Sequence, residues 1–316
     1  MAETGLKRIA LVSLLCWSAG AAVTAAEPAL FESRPLTPAG EYTQGIEGPA
    51  VDAEGRLFVV NFERQGTIGR LDPGGTRSEL FATLPTGSIG NGIRFDRGGR
   101  MFIADYKKHN ILVIEPGSSV AQVYFHSDQF SQPNDLAVTK DGILFASDPA
   151  FPRSGRIWRI ERQADGKGHG QPMSSERPMG TTNGIDVSPD ETTLYVSESN
   201  TREVWAYRID GVRLTSGRLV KKFDAFELDG LRTDRQGRIF VARPLAGTIA
   251  ILAPDRTPDA ALLREVKLQG KVPTNLTFGG PDGRTVFVTQ RDGRFVETFR
   301  AESPGREPCL QASSWC

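Results

Sequence analysis

A sixfold repeat in spacing constrains this chain more than any other feature. Units begin "EGPAVDAEGRLFVVN" at Glu47, "NGIRFDRGGRMFIAD" at Asn91, "NDLAVTKDGILFASD" at Asn134, "NGIDVSPDETTLYVSES" at Asn183, "DGLRTDRQGRIFVAR" at Asp229 and "NLTFGGPDGRTVFVT" at Asn275, 43–49 residues apart. Five residues into each unit the chain enters a turn, at Asp52, Asp96, Thr139, Ser188, Asp234 and Gly280. Three residues later stands Gly55, Gly99, Gly142, Gly237 or Gly283. Only the fourth unit differs, with Glu191 in that place and one extra residue in the turn. An apolar run follows every turn: "LFVV", "MFIA", "ILFA", "TLYV", "IFVA", "TVFV". A strand, a D-x-x-G turn whose glycine supplies positive φ, and a returning strand make a hairpin. Further strand candidates follow, such as "TIGRLDP" and "SELFATL", so each unit of roughly 45 residues reads as a four-stranded propeller blade.

Six units predict an all-β, six-bladed β-propeller around a channel, spanning residues 27–303. The last unit is short of an outer strand. The segment "ALFESRPL", Ala29–Leu36, resembles the fourth strand of a blade and is expected to close the ring on the sixth blade, removing two exposed edges. A parallel solenoid shares the period but usually needs a helix or a stricter short repeat. The 316 residues, 39% hydrophobic and 24% charged, suit a large buried core. The formal net charge is +0 and no basic block occurs, which argues against a nucleic-acid partner.

The N-terminus reads as a secretory signal peptide over residues 1–26. Lys7 and Arg8 precede an uncharged run from Ile9 to Val23, and small residues follow at Ala25 and Ala26. The run is shorter than the roughly 20 residues a spanning helix needs, so no membrane attachment is expected after cleavage. The mature protein is expected to be secreted or periplasmic. Beyond the leader only Cys309 and Cys316 remain. In an exported chain they suggest a disulfide closing a tail over 304–316, the alternative being two free thiols.

Equivalent positions in a closed repeat lie on a circle. The unit starts Glu47, Asn91, Asn134, Asn183, Asp229 and Asn275 are read as preceding the channel-lining strands, and their oxygens should converge at one mouth. Asn-Gly also serves turns, which accounts for any one of these residues but not for Glu47 at the first position. All six are carboxylates or carboxamides, donors suited to Ca²⁺, Mg²⁺ or Mn²⁺. The charges of Glu47 and Asp229 would balance one divalent cation.

The motifs "IEGPAVD", "QPNDLAVTKDG", "TNGIDVSPDETTLYVSES" and "LDGLRTDRQGRIFVA" resemble the senescence marker protein / gluconolactonase family of six-bladed propellers, which includes regucalcin-like lactonases. The resemblance implies one divalent cation, Ca²⁺ foremost with Mg²⁺, Mn²⁺ or Zn²⁺ as alternatives, held by Glu47, Asn183 and Asp229. Asn134 of "PND" completes that shell or holds substrate and water. Asn91 and Asn275 are less uniform in the family and are candidate substrate contacts, as is Arg153 in the loop "PAFPRSGR". Strictosidine-synthase-like propellers, which "GNGIRFDRGGRMFIAD" also resembles, lack this ligand set.

The chemistry implied is hydrolytic opening of a sugar or other small lactone, with Asp229 as ligand and base, or as nucleophile. Hydrolysis of esters or organophosphates, as in diisopropylfluorophosphatase, is the runner-up, and a non-enzymatic, calcium-braced binding propeller is the third reading. Asp105, Ser147, Asp148, Ser197, Glu198 and Arg243, which follow the second strands, are expected on the opposite face or farther out, in structural roles. His109, His126 and His169 share no register with the ring, and His169 in "GKGHGQP" is expected in a loop.

Overall fold

The computed structural model describes residues 1–2, 29–254 and 260–311. The expected leader and the Cys309–Cys316 pairing fall outside the described residues and side chains. Among the described residues six sheets are present, and their innermost strands are Tyr42–Val51, Gly90–Phe95, Leu136–Val138, Thr182–Val187, Leu231–Thr233 and Pro273–Gly279. Each innermost strand contacts the next, and the sixth contacts the first, so the sheets close into a six-bladed propeller. Within each blade the strands run antiparallel from the channel outward. The fourth blade gains a two-residue fifth strand, Ser174–Ser175, parallel to Arg213–Lys222.

The repeat turns form as the spacing predicts. Gly55, Gly99, Gly142, Gly237 and Gly283 all have φ between 67° and 81°. Their N–H groups donate to the carbonyls of Asp52, Asp96, Thr139, Asp234 and Gly280 at 2.9–3.2 Å. Glu191 takes the same left-handed conformation, φ 60°, and donates to the Ser188 carbonyl at 2.8 Å. In blades one, two and five the turn aspartate also holds the Nε of Arg56, Arg100 or Arg238 at 2.6–2.7 Å.

The core lies between blades rather than at one centre. One cluster joins Phe58, Val60 and Ile68 of the first blade to Ile93, Phe95 and Ile103 of the second. Four more join successive blades, and the sixth joins Val296 to Tyr42, Ile46 and Val59. Fully burying each such side chain contributes about 1.5–3 kcal/mol, so every blade depends on both neighbours.

The closure also follows expectation. Arg34–Pro35 pairs antiparallel with Phe295–Arg300 as the outer strand of the sixth blade. Leu30 bridges Arg300, and Phe31 packs on Phe299 at 6.5 Å. His169, expected in a loop, instead lies in the outer strand Gly168–Pro172 of the third blade. Its flanking glycines explain the misreading. A Cβ on Gly168 or Gly170 would meet the Tyr124 or Phe125 ring of the second blade at 2.5–2.6 Å, so glycine here makes room for aromatic rings in an edge strand.

The residues after Ala301 dock against the propeller. Arg235 N donates to the Pro304 carbonyl at 2.9 Å, and Gly305 bridges Asp234. The helix Arg306–Gln311 then lies against the inner strand of the sixth blade.

Candidate functional site

Four of the six ring residues, Glu47, Asn91, Asn183 and Asn275, lie inside their inner strands rather than before them. Only Asn134 and Asp229 precede theirs, by two residues. Register shifts fall at or beside the four inside residues, between Glu47 and Ala50, Gly90 and Ile93, Thr182 and Ile185, and Pro273 and Leu276. Such bulges re-aim side chains, here at the channel.

The Asn-Gly pairs are therefore not turns. Their glycines are sites of close approach between blades. A Cβ on Gly184 would stand 2.3 Å from Leu231 N and 2.6 Å from the Asp229 carbonyl oxygen; one on Gly48 would stand 1.8 Å from the Asn91 carbonyl oxygen. Hydrogen bonds run along the same seams: Gly184 N donates to Asp229 O at 3.2 Å, Gly92 N to Asn134 O at 2.8 Å and Gly230 N to Thr274 O at 2.8 Å.

Glu47, Asn183 and Asp229 are buried, at 6%, 9% and 7% exposure. Glu47 accepts from Gly48 N at 2.8 Å. Asn183 donates Nδ2 to Ser199 Oγ at 3.1 Å and also hydrogen-bonds Asp229. Arg291, half exposed, brings Nη2 to 3.9 Å from Asp229 Oδ2. Burial, then the charge of Glu47, pushes the Asp229 carboxyl well above its usual range, while Arg291 and Asn183 pull it down. Burial likewise raises Glu47, against Gly48 N–H, Asn275, Arg291 and Arg94.

Among the six ring residues, two side chains carry a buried oxygen without a hydrogen-bond partner: Asn134 Oδ1 and Asn183 Oδ1. An orphaned buried carbonyl costs about 1–3 kcal/mol. Such carboxamide oxygens and the carboxylates of Glu47 and Asp229 are hard-oxygen donors of the kind that suit a divalent cation. Among the described residues no group of three or more His, Cys, Asp or Glu side chains is placed to hold a metal ion.

The other candidates are placed as follows. Asn91 is half-buried and donates Nδ2 to the Asn134 carbonyl at 3.2 Å. Asn275, 1% exposed, accepts from Leu276 N at 2.9 Å; its amide donates to Asp135 Oδ2 at 3.4 Å and hydrogen-bonds Glu47. Arg153 is exposed in the loop between the second and third strands of the third blade. The residues ending the second strands are structural, but on the mouth side and not opposite, because an antiparallel return ends where the first strand begins. Asp105 pairs with Gly90, Glu198 with Thr182, and Ser197 Oγ donates to the Asp229 carbonyl at 2.6 Å.

Sequence reasoning missed the charged column beneath the ring. Asp135, with no exposure, accepts from Arg94 Nη2 at 2.9 Å and from Arg232 Nη1 and Nη2 at 2.9 and 3.0 Å. Burial pushes its carboxyl up to about 7, against the pull of Arg94. The repeat register carried a signal for it. Asp135 is the one charged residue in a column otherwise holding Gly48, Gly92, Gly184, Gly230 and Leu276. Arg94 and Arg232 share another column, three residues past the unit starts.

A closed six-bladed propeller with an oxygen-donor ring at its mouth defines the class of protein. The SMP-30/Gluconolactonase/LRE-like region matches residues 46–291, and the chain belongs to that family. The gluconolactonase of Zymomonas mobilis is 30% identical over 219 residues, covering 63% of this chain and 60% of that protein. Among solved structures, the gluconolactonase of Xanthomonas campestris superposes with a TM-score of 0.68 at 22% identity, covering 85% of this chain and 89% of that one. The calcium-binding protein regucalcin of Agrobacterium tumefaciens superposes at 0.66 and 17%, covering 86% and 98%.

Proposed function

We propose that this protein is an exported, divalent-cation-dependent lactonase that opens a sugar or other small lactone. The observation that carries the reading is the pair of orphaned carboxamide oxygens, on Asn134 and Asn183, in a mouth that also holds the Glu47 and Asp229 carboxylates. The gluconolactonase relatives support the reaction class, and the basic, apolar, then small-residue leader supports export.

Glu47, Asn134, Asn183 and Asp229 would hold the cation, Ca²⁺ foremost. When bound, it polarises the lactone carbonyl and acidifies a water. In ionised form Asp229 takes the proton from the attacking water as its oxygen bonds to the carbonyl carbon. The ring C–O bond then breaks, and the departing alkoxide takes that proton back from Asp229, which restores the carboxylate. Arg291, 3.9 Å away, favours the ionised form of Asp229. Asn183 fixes that carboxylate by its hydrogen bond and is itself fixed by Ser199. Asn91, Asn134 and Arg153 are proposed substrate contacts at the rim. Asn275 is proposed to act indirectly, through Glu47 and Asp135.

The test is turnover on a panel of lactones, esters and phosphotriesters after chelation, with Ca²⁺, Mg²⁺, Mn²⁺ and Zn²⁺ added back singly. Chelator-sensitive lactone opening is expected. Chelator-resistant turnover would refute the cation-dependent site, and cation binding without turnover on any substrate would favour the binding propeller.

A further inference from the structure

Two charged side chains of the C-terminal helix are buried against the ends of the inner strands, away from the ring residues. Arg306 and Glu307 are only 4% and 9% exposed. Arg306 pairs with Asp186 at 2.7 Å, donates to the Val138 carbonyl at 3.1 Å and approaches Glu191 at 3.7 Å. Those partners belong to the third and fourth blades; Asp186 in turn accepts from Thr233 N and Oγ1 of the fifth blade at 2.8 and 2.9 Å, a branch that does not include Asp135. Glu307 is placed differently. Its carboxylate lies 2.6 Å from Arg94 Nε and 3.8 Å from Arg232 Nε, and accepts from Thr277 Oγ1 at 3.4 Å. The same two guanidiniums hold Asp135 from their other ends. Asp135 in turn receives the amide of Asn275, which also bonds Glu47.

From this geometry we infer that Glu307 is a positioning residue for the mouth, acting through a buried column Glu307–Arg94/Arg232–Asp135–Asn275 that ends on Glu47. The inference rests on the cation-dependent reading above. Its physical basis is charge balance. Arg94 and Arg232 place two positive charges beneath a site meant for a cation, and Asp135 alone cancels one. Glu307 cancels the second, leaving a neutral floor. Without it the column carries one net positive charge in a medium of low dielectric, which opposes cation binding. The paired guanidiniums would also lose the anchor that aims them at Asp135. Outer partners of this kind typically alter metal affinity or activity by about 10–100-fold.

The experiment compares Glu307→Gln, Glu307→Asp and Arg306→Met in the full chain. Three quantities are read: Ca²⁺ affinity by calorimetry on chelated and dialysed protein, the thermal midpoint of the cation-free form, and kcat and KM on a neutral sugar lactone. Glu307→Gln is expected to weaken Ca²⁺ binding about tenfold or more, and Glu307→Asp, which keeps the charge, to recover part of it. Arg306→Met should lower the thermal midpoint while leaving the Ca²⁺ affinity of the folded protein as in wild type. If Glu307→Gln does not fold, Glu307→Asp and Arg306→Met still decide. Equal losses of affinity in these two would mean that the helix merely plugs the channel, and would overturn the inference. So would wild-type affinity in folded Glu307→Gln. A wild type that binds Ca²⁺ but opens no lactone sinks the proposed reaction and leaves the column tested by its affinity arm. A wild type that binds no cation sinks both.

Discussion

Asp229 and Glu47 are two carboxyls whose burial raises both, and the charge of Glu47 also raises Asp229, so removing either charge should separate their roles. Asp229→Asn keeps an oxygen donor but loses the base, and kcat is expected to fall about 10²–10⁴-fold, unrestored by excess cation. Glu47→Gln should weaken the cation instead, with activity recovered at high cation concentration. Steady-state kinetics across a cation titration distinguishes the two. Asn275→Ala, which sequence alone would rank as mild, should behave like Glu47→Gln, because it strips a hydrogen bond from Glu47 and from Asp135. The raised carboxyls also set a pH dependence. A buried acid with a raised pKa binds more protons folded than unfolded, so stability falls as pH rises through that window. For Asp135 the window runs from the ordinary carboxylate range to about 7. The cation-free protein should therefore melt at a lower temperature at pH 8 than at pH 5, and Ca²⁺ should narrow the difference. An equal or higher midpoint at pH 8 without cation would contradict these shifts.

At the scale of the element, the inner strands are held by close backbone approach as much as by side chains. Gly184 sets the seam between the fourth and fifth blades, and Gly184→Ala drives a methyl toward Leu231 N and the Asp229 carbonyl. Overpacking of this kind costs about 1–3 kcal/mol. The variant should melt earlier and bind Ca²⁺ less tightly, because the displaced segment includes Asp229. Hairpin turns should be more forgiving. Glu191→Gly, which relieves a left-handed conformation at φ 60° but removes the Glu191 acceptor of Lys140 N, is expected to change the thermal midpoint little. The turns were legible in sequence because D-x-x-G chemistry is local. The seam was not, because an Asn-Gly pair reads as a turn until the neighbouring blade is seen against it.

For the whole molecule, closure is the decisive feature. Deleting 29–36 removes the outer strand of the sixth blade and exposes Phe295–Arg300 as an edge, along with the Phe31–Phe299 contact. A clear fall in the thermal midpoint, with aggregation through the bared edge, is expected on thermal scanning with light scattering. An unchanged midpoint would mean the strand is dispensable to the ring. Export is checked separately. Intact mass of protein recovered from outside the cytoplasm should begin at Ala26 or Glu27.

By itself the sequence determined the number of blades, the position of each hairpin turn and the closing N-terminal strand. All of these repeat at a fixed interval or follow from local backbone chemistry, so a linear reading reaches them. Only the tertiary structure decided what the ring residues touch. It showed that Asn275 bridges two carboxylates, that the second-strand ends share the mouth, and that Asp135 is clasped by arginines from the second and fifth blades. It also showed Glu307 reaching the channel from the far end of the chain. The contacts of these carboxylates with Asn275 and the arginines join residues 41 to 228 positions apart. They arise because ring closure brings every inner strand to one axis, where buried charges must be paired with whatever opposite charge the other blades supply.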